Sequence, residues 1–331
     1  MKPGRAARLC FLLLCLCCAG CTGWQSAMDP QGPAARRLDQ LFWLFTGTAA
    51  LIWLLVMLVL ALALLRRRMP PEAVAEHRST VAVGGAVAAT VLIITGLTFA
   101  SYLATRQDSA GHADALVIRV RGFQWWWEVT YPDAAPDHSF LTANEIHIPV
   151  GRPVRIELAA ADVIHSFWVP NLAGKQDMIP GRDNALTFTV QQPGIYRGQC
   201  AEFCGLQHAH MALLVVAEPP EAFERWRAAQ LAEAQAPRTP EAAEGQRLLE
   251  IKACGACHTV RGTAAAGTLG PDLTHLASRQ YLAAGMLPVT RGALAAWIAD
   301  PQTIKPGNNM PMVSLSADEL QALSAYLVDL K

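Results

Sequence analysis

The chain has 331 residues, 52% of them hydrophobic, with 27 basic and 27 acidic side chains that cancel to a formal net charge of zero. That length accommodates two or three domains. The charge balance leaves no electrostatic footprint for nucleic acid, and the apolar share points to membrane segments.

Residues 1–20 read as a secretory signal, with Lys2, Arg5 and Arg8 as the basic start and Leu9 to Ala19 as the apolar stretch. Its end, Cys18-Ala19-Gly20-Cys21, is similar to a bacterial lipoprotein cleavage site, which would make Cys21 a lipidated N-terminus. Cys18 stands where that pattern has leucine, so ordinary signal cleavage is the other reading. Of nine cysteines, Cys10, Cys15, Cys17, Cys18 and Cys21 lie here. The remaining four belong to two motifs further on, and none is left for a structural disulfide.

Residues 21–105 are predicted to hold two membrane-spanning helices, about 41–65 and 81–103, each apolar and long enough to cross a bilayer. The second is rich in Gly, Ala and Thr, which suits packing against another helix in lipid. The loop between them carries Arg66, Arg67, Arg68 and Arg78 and is therefore expected on the cytoplasmic side. Everything after Leu103 then lies outside the cytoplasm, on the periplasmic side of a bacterial inner membrane.

From about 115 to 217 the pattern turns to short β-rich runs: Leu116–Arg121, Glu145–Ile148, Val154–Leu158, Leu186–Val190 and Ala212–Val216. Gly/Pro turns separate them, which suggests a sandwich or Greek-key barrel. Three consecutive tryptophans, Trp125 to Trp127, follow the first run; at least one must face the core, since alternate strand residues point inward. A short helix is expected around Phe223–Leu231, closing a domain of residues 115–235.

The run Cys200-Ala-Glu202-Phe-Cys204-Gly-Leu-Gln-His208-Ala-His-Met211 places two thiols, an imidazole and a thioether in twelve residues, a soft donor set that suits copper. A disulfide would close a very small loop and leave His208 and Met211 without a role. A mononuclear blue-copper site uses one thiolate and would leave the second idle. A binuclear centre bridged by both thiolates needs a second terminal imidazole, for which His165 is the candidate. His210 and His147 are read as bystanders, as are His77, His112, His138 and His275.

These residues resemble subunit II of cytochrome c oxidase and its CuA centre. The likeness rests on Asp162-Val-Ile-His165-Ser-Phe-Trp168-Val-Pro170, Lys175-Gln-Asp177-Met-Ile-Pro180-Gly181-Arg182 and Pro193-Gly194-Ile-Tyr196-Arg-Gly198-Gln199-Cys200-Ala-Glu202-Phe-Cys204-Gly205. It implies a cupredoxin-like Greek-key barrel behind a two-helix transmembrane hairpin. It further implies that Cys200 and Cys204 bridge two coppers, that His165 and His208 are terminal ligands, and that Met211 and the Glu202 carbonyl are axial ligands. The Glu202 carboxylate would reach a Mg²⁺ shared with the catalytic subunit. Trp125 matches the family's electron-transfer tryptophan.

Residues 236–245, with Ala236-Pro237-Arg238-Thr239-Pro240, read as a linker. Residues 246–331 then form an all-α piece whose last helix opens with the capping box Ser316-Ala-Asp-Glu319. Cys254-Gly-Ala-Cys257-His258 is a c-type haem attachment motif. It lacks the further ligands that zinc requires. The segment resembles a class I cytochrome c. That resemblance implies thioether bonds from Cys254 and Cys257, His258 as proximal ligand oriented by the Pro271 carbonyl, and Met310 as distal ligand, with Met312 the other choice.

Many relatives carry a glutamate at a proton-channel mouth before the second span. Here Glu76 stands in a different context and reads as a loop carboxylate. The expected function is electron input to a respiratory oxidase, as in caa-type enzymes. Electrons would come from a cytochrome c or a bc-type complex and pass through haem c and CuA. Subunit I would reduce oxygen to water and pump protons, with subunit III as a further partner. The alternatives are the corresponding subunit of a CuA-containing nitric oxide reductase and a non-catalytic copper-binding protein.

Overall fold

The computed structural model describes residues 22–66, 72–106 and 114–331. The signal segment 1–20, Cys21, Arg67, Arg68 and His112 lie outside the described residues. Residues 22–35 and 114–331 belong to one compact unit, and the described residues from 36 to 106 to another.

Helix α1 runs Pro33–Arg66 and α2 runs Glu72–Arg106. Both extend beyond the apolar stretches 41–65 and 81–103, because helix continues through polar residues such as Arg36, Asp39, His77 and Arg78. At 1.5 Å per residue the apolar stretches alone reach about 35 Å, enough for the roughly 30 Å hydrocarbon core of a bilayer. Large apolar side chains along them, among them Trp53, Leu65, Leu92 and Phe99, have no protein cover. Apolar surface of that extent needs a lipid environment.

The domain expected to hold copper is a sandwich of two five-stranded sheets, with orders β3-β2-β1-β5-β8 and β4-β10-β9-β6-β7. The first comprises β1 (Leu116–Phe123), β2 (Trp126–Tyr131), β3 (Phe140–Ala143), β5 (Pro153–Ala160) and β8 (Asn184–Thr189). The second comprises β4 (Glu145–Pro149), β6 (His165–Trp168), β7 (Gln176–Met178), β9 (Gly194–Cys200) and β10 (Ala212–Glu218). Strands β1 and β2 alternate between buried and less buried positions, and their inward residues Ile118, Val120, Trp127 and Val129 form core with Ile146, Ile148, Phe167 and Val215. Strands β4 and β10 are buried almost throughout, because their second face is also covered. Helix α3 (Pro220–Leu231) packs there through Phe223 and Trp226. It begins three residues before the expected Phe223.

Residues 22–35 pack on the copper domain, so the membrane portion does not begin at residue 21 as expected. Asn171 Nδ2 donates to the carbonyls of Gly23 and Asp29, each at 2.9 Å, and the Arg197 N–H donates to Trp24 O at 2.7 Å. Gly32 runs so close to Thr189 that a Cβ would sit 2.4 Å from its carbonyl oxygen.

The haem domain holds α4 (Pro240–Ile251), a two-residue hairpin of β11 (Tyr281–Leu282) and β12 (Leu287–Pro288), α5 (Arg291–Ala299), α6 (Pro301–Ile304) and α7 (Ala317–Asp329). The predicted linker 236–245 is corrected: Thr239 accepts the Ala242 N–H as an N-cap, Pro240 follows at the first helical position, and the helix starts there. The Ser316/Glu319 capping box is present at α7. Helices α4 and α7 cross closely at Gly245, where a Cβ would lie 2.0 Å from the Ala322 carbonyl oxygen.

Candidate copper and haem sites

Strand β6 places His165 inside the second sheet, and β9 ends on Cys200. The loop 201–211 then returns to β10 through Gly205, whose φ of +110° favours glycine. Both thiols are free and buried. The donor atoms of His165, Cys200 and Cys204 lie within 4.8 Å of one another. The two sulfurs are 3.7 Å apart. Cys200 Sγ has His165 Nδ1 at 3.8 Å and the Glu202 carbonyl oxygen at 3.2 Å. Cys204 Sγ has His208 Nδ1 at 3.6 Å and Met211 Sδ at 3.8 Å. Each sulfur therefore has an imidazole nitrogen and a weak donor beside it. Two thiols, two imidazoles, a thioether and a carbonyl converging in this way fit a pair of soft metal ions.

The thiols behave as a pair. The hydrogen bond from Cys204, with help from His165, brings the Cys200 thiol down to about 3, and the same contact with burial pushes Cys204 up. A metal would displace their shared proton.

Around this cluster sits a second ring of contacts. His165 Nε2 meets Asp162 Oδ1 at 2.8 Å, which leaves Nδ1 facing the sulfur. The Cys204 carbonyl accepts from Gln124 Nε2 at 2.8 Å and from the Trp125 indole N–H at 2.9 Å. The Glu202 carboxylate is on the surface, paired with Lys175 Nζ at 3.0 Å. His210 bonds Gln207 Oε1 rather than the thiols. His147 is a buried core residue, clamped between Glu145 and Glu218 and stacked on Trp226 at 4.1 Å. His275 bridges the carbonyls of Ala232 and Lys331.

In the haem domain a cavity of about 520 Å³ is lined by Cys254, Cys257, His258 and Met310, with Trp125 and Lys305 also on its wall. The remaining lining is largely apolar and includes Leu249, Leu294 and Leu323. Two thiols, an imidazole and a thioether around an apolar cavity fit a covalently held haem. His258 Nδ1 lies 2.8 Å from the Pro271 carbonyl oxygen, which fixes the ring, while burial pulls its pKa down and favours the neutral imidazole. Gly270 is needed beside it, since a Cβ there would come within 2.6 Å of His258 Cε1. Met310 is held by its own backbone: its N–H donates to Asn308 Oδ1 at 2.8 Å, and its carbonyl accepts from Gln302 Nε2 at 3.0 Å. Met312 is 62% exposed and lines no part of the cavity.

Sequence reasoning gave no role to Asp162, Gln124 or Lys305. An acidic residue three before His165 was the available signal for the first. The Lys305 ammonium donates to backbone carbonyls, so no side-chain pattern could have revealed it.

The sequence profile described as cytochrome c oxidase subunit II, periplasmic domain, matches residues 135–218, and that described as cytochrome c matches residues 242–331. Cytochrome c oxidase subunit 2 of Alkalihalophilus pseudofirmus is 34% identical across 98% of this chain and 96% of its own length. The protein of the same name from Bacillus sp. strain PS3 is 32% identical across 68% of this chain and 65% of its own length. The crystal structure of the periplasmic domain of subunit II of cytochrome oxidase from Bradyrhizobium japonicum is 31% identical, spans 36% of this chain and 95% of that domain, and superposes with a TM-score of 0.34. Identity of 34% sustained along nearly the whole of two chains makes this one a member of the cytochrome c oxidase subunit 2 family, in the form that carries its own cytochrome c domain.

Proposed function

We propose that this chain is the subunit through which electrons enter a haem–copper terminal oxidase of a bacterial inner membrane, with its copper and haem domains on the periplasmic side. The observation that carries this reading is the position of Trp125. Its indole borders the cavity lined by Cys254, Cys257, His258 and Met310, and it hydrogen-bonds the backbone of Cys204. One side chain thus touches both sites.

When bound, the haem and the copper pair supply reversible one-electron chemistry. Cys254 and Cys257 would anchor the haem covalently, and His258 and Met310 would bind its iron. Cys200, Cys204, His165, His208, Met211 and the Glu202 carbonyl would hold the copper pair. Asp162 keeps His165 in one tautomer and orientation, and Pro271 does the same for His258. Burial of the thiols and of Trp125 keeps water from the path between the sites. The exposed Glu202 carboxylate is the candidate for a Mg²⁺ shared with catalytic subunit I. Subunit III is a further expected partner, and a cytochrome c or bc-type complex the expected donor. Oxygen reduction and proton pumping belong to subunit I.

The test is electron paramagnetic resonance of the complex purified from membranes. Two equivalent coppers sharing one unpaired electron should give their own hyperfine pattern, and Cys204→Ser should abolish it. A single-copper pattern in the wild type, or survival of the two-copper pattern in Cys204→Ser, would contradict the binuclear assignment. Oxygen uptake, rather than nitric oxide consumption, by the same complex separates the oxidase from the reductase alternative.

A further inference from the structure

The contact between the copper and haem domains converges on Lys305. This residue directly follows α6, five positions before Met310. Its Nζ donates to three backbone carbonyls: Trp125 O at 2.8 Å, His210 O at 2.7 Å and Ala283 O at 2.8 Å. The side chain is buried, with the residue 2% exposed. Three N–H donors meet three acceptors, so the head group is satisfied without a carboxylate. Burial pulls the amine down to about 7. The charge of the nearby Cys204 sulfur acts the other way and favours the ammonium.

The acceptors are informative. Two of the three belong to the copper domain. Trp125 O is the backbone of the residue whose indole touches both sites. His210 O lies in the loop between His208 and Met211. The residues after Lys305 continue the same contact: Gln207 Nε2 donates to Pro306 O at 2.9 Å. Gly307, at φ +82°, lies against the Trp125 ring, where a Cβ would be 3.4 Å from Cη2. One short segment therefore presents Met310 to the haem cavity and fastens itself to the copper loop. An apolar side chain would fill the same buried space without the cost of burying an ammonium. What it could not do is hold three carbonyls, from two domains, at fixed positions.

We propose that Lys305 is a positioning residue for electron transfer between the domains, an ammonium latch that holds the haem domain on the copper loop with Trp125 between the two sites. This rests on the electron-input reading above. The transfer makes and breaks no bond: one electron leaves the haem and one is gained by the copper pair.

The test uses the full chain in its complex, loaded with both cofactors, and the variant Lys305→Met, which keeps apolar bulk and removes all three donors. Two quantities are read. One is the acceleration of copper spin relaxation by the oxidised haem, which reports proximity and not activity. The other is the rate of haem-to-copper transfer after flash photoreduction of the haem. The variant should weaken the relaxation effect and slow transfer about tenfold or more, as expected for losing hydrogen bonds to a charged group. Direct reduction of the copper by a small soluble mediator should be unchanged. Wild-type relaxation and transfer in a fully loaded Lys305→Met overturns the latch. Absence of any haem-to-copper transfer in the wild type would instead overturn the electron-input reading, and the latch would still be judged by relaxation. If Lys305→Met loses a cofactor, Lys305→Gln decides, since it keeps some N–H donors. Full loading with an intermediate rate supports the latch, and a wild-type rate or a second loss of cofactor overturns it.

Discussion

The Trp125 indole N–H donates to the Cys204 carbonyl oxygen at 2.9 Å. The bond joins a residue on the wall of the proposed haem cavity to the backbone of Cys204, a proposed copper ligand. Gly205 makes the approach possible, because a Cβ there would lie 3.2 Å from the Trp125 ring and 3.0 Å from Gln124 Nε2. The ring is 8% exposed and belongs to the sandwich core. Trp125 is therefore both a packing residue and a link between the cavity wall and the Cys204 backbone.

Trp125→Phe tests that double role. The Cys204 carbonyl keeps its bond from Gln124 Nε2, so the loss in stability should be small, about 1 kcal/mol for one neutral hydrogen bond. The copper and haem contents should stay at wild-type levels. Electron transfer from haem to copper should slow, while reduction of copper by a small mediator should not. Wild-type transfer in a fully loaded variant would leave Trp125 as core and nothing more.

Much of this architecture is legible in the sequence because the chemistry demands rare residue types at fixed spacing. Cys200, Cys204, His208 and Met211 declare a metal loop, and Cys254, Cys257 and His258 a haem. The two apolar runs stand out because few soluble helices tolerate such surfaces. Strands were harder. Of ten in the sandwich, β1, β4, β5, β8 and β10 carry clear β-branched runs, whereas β7 has three residues and β9 mixes Gly194, Arg197 and Gln199 into its length. Residues 22–35 gave no signal, because their partners are distant in sequence: Gln25 pairs with the Gln199 and Arg197 side chains, and the Gly23 and Asp29 carbonyls accept from the Asn171 amide. Thr239 and Pro240 were a helix start within a stretch whose Pro and Ala content reads as linker. Lys305 was hidden because its Nζ partners are carbonyls, which leave no trace in side-chain pattern.

Asp162 holds His165 through the 2.8 Å contact with Nε2, and its other oxygen accepts the Gln124 N–H at 2.7 Å. It thus positions a ligand and the turn that precedes Trp125. Asp162→Asn should lower copper affinity about tenfold and Asp162→Ala towards a hundredfold, the range typical of a residue that orients a metal-bound imidazole. Competition with a copper chelator measures this directly. A fold defect alone would lower the melting temperature of the copper-free protein without changing the ranking of Asn above Ala in copper retention.

His147 links pH to stability away from both sites. Burial lowers its pKa, but hydrogen bonds to Glu145 and Glu218 outweigh this and leave it raised above its ordinary value. A raised folded-state value means that the charged imidazole stabilises the fold below the unfolded pKa of about 6.5. That contribution is lost as pH rises through the folded value. His147→Gln should therefore melt below the wild type, with the gap widest in mildly acidic solution and narrowing as pH increases. A gap that is constant with pH, measured by thermal unfolding of the complex, would show that the imidazolium contributes nothing beyond packing on Trp226.

The proposed distal haem ligand, Met310, can be separated from its neighbour Met312 by two substitutions. Met310 lines the cavity that also holds His258, and its backbone is fixed by Asn308 and Gln302. Met312, two residues on and past Pro311, is largely exposed. Met310→Leu should remove the methionine-to-iron charge-transfer absorption of the oxidised haem and lower its midpoint potential, because a thioether ligand favours the reduced iron. Haem attachment should persist, since Cys254 and Cys257 are untouched. Met312→Leu should leave the spectrum and the potential as in the wild type. The reverse outcome, an altered spectrum in Met312→Leu with Met310→Leu unchanged, would require the loop from Gly307 to Val313 to swing by two residues. That rearrangement would break the Gln302 contacts to Asn308 O and Met310 O, and with them the register that also seats Lys305 on the copper loop.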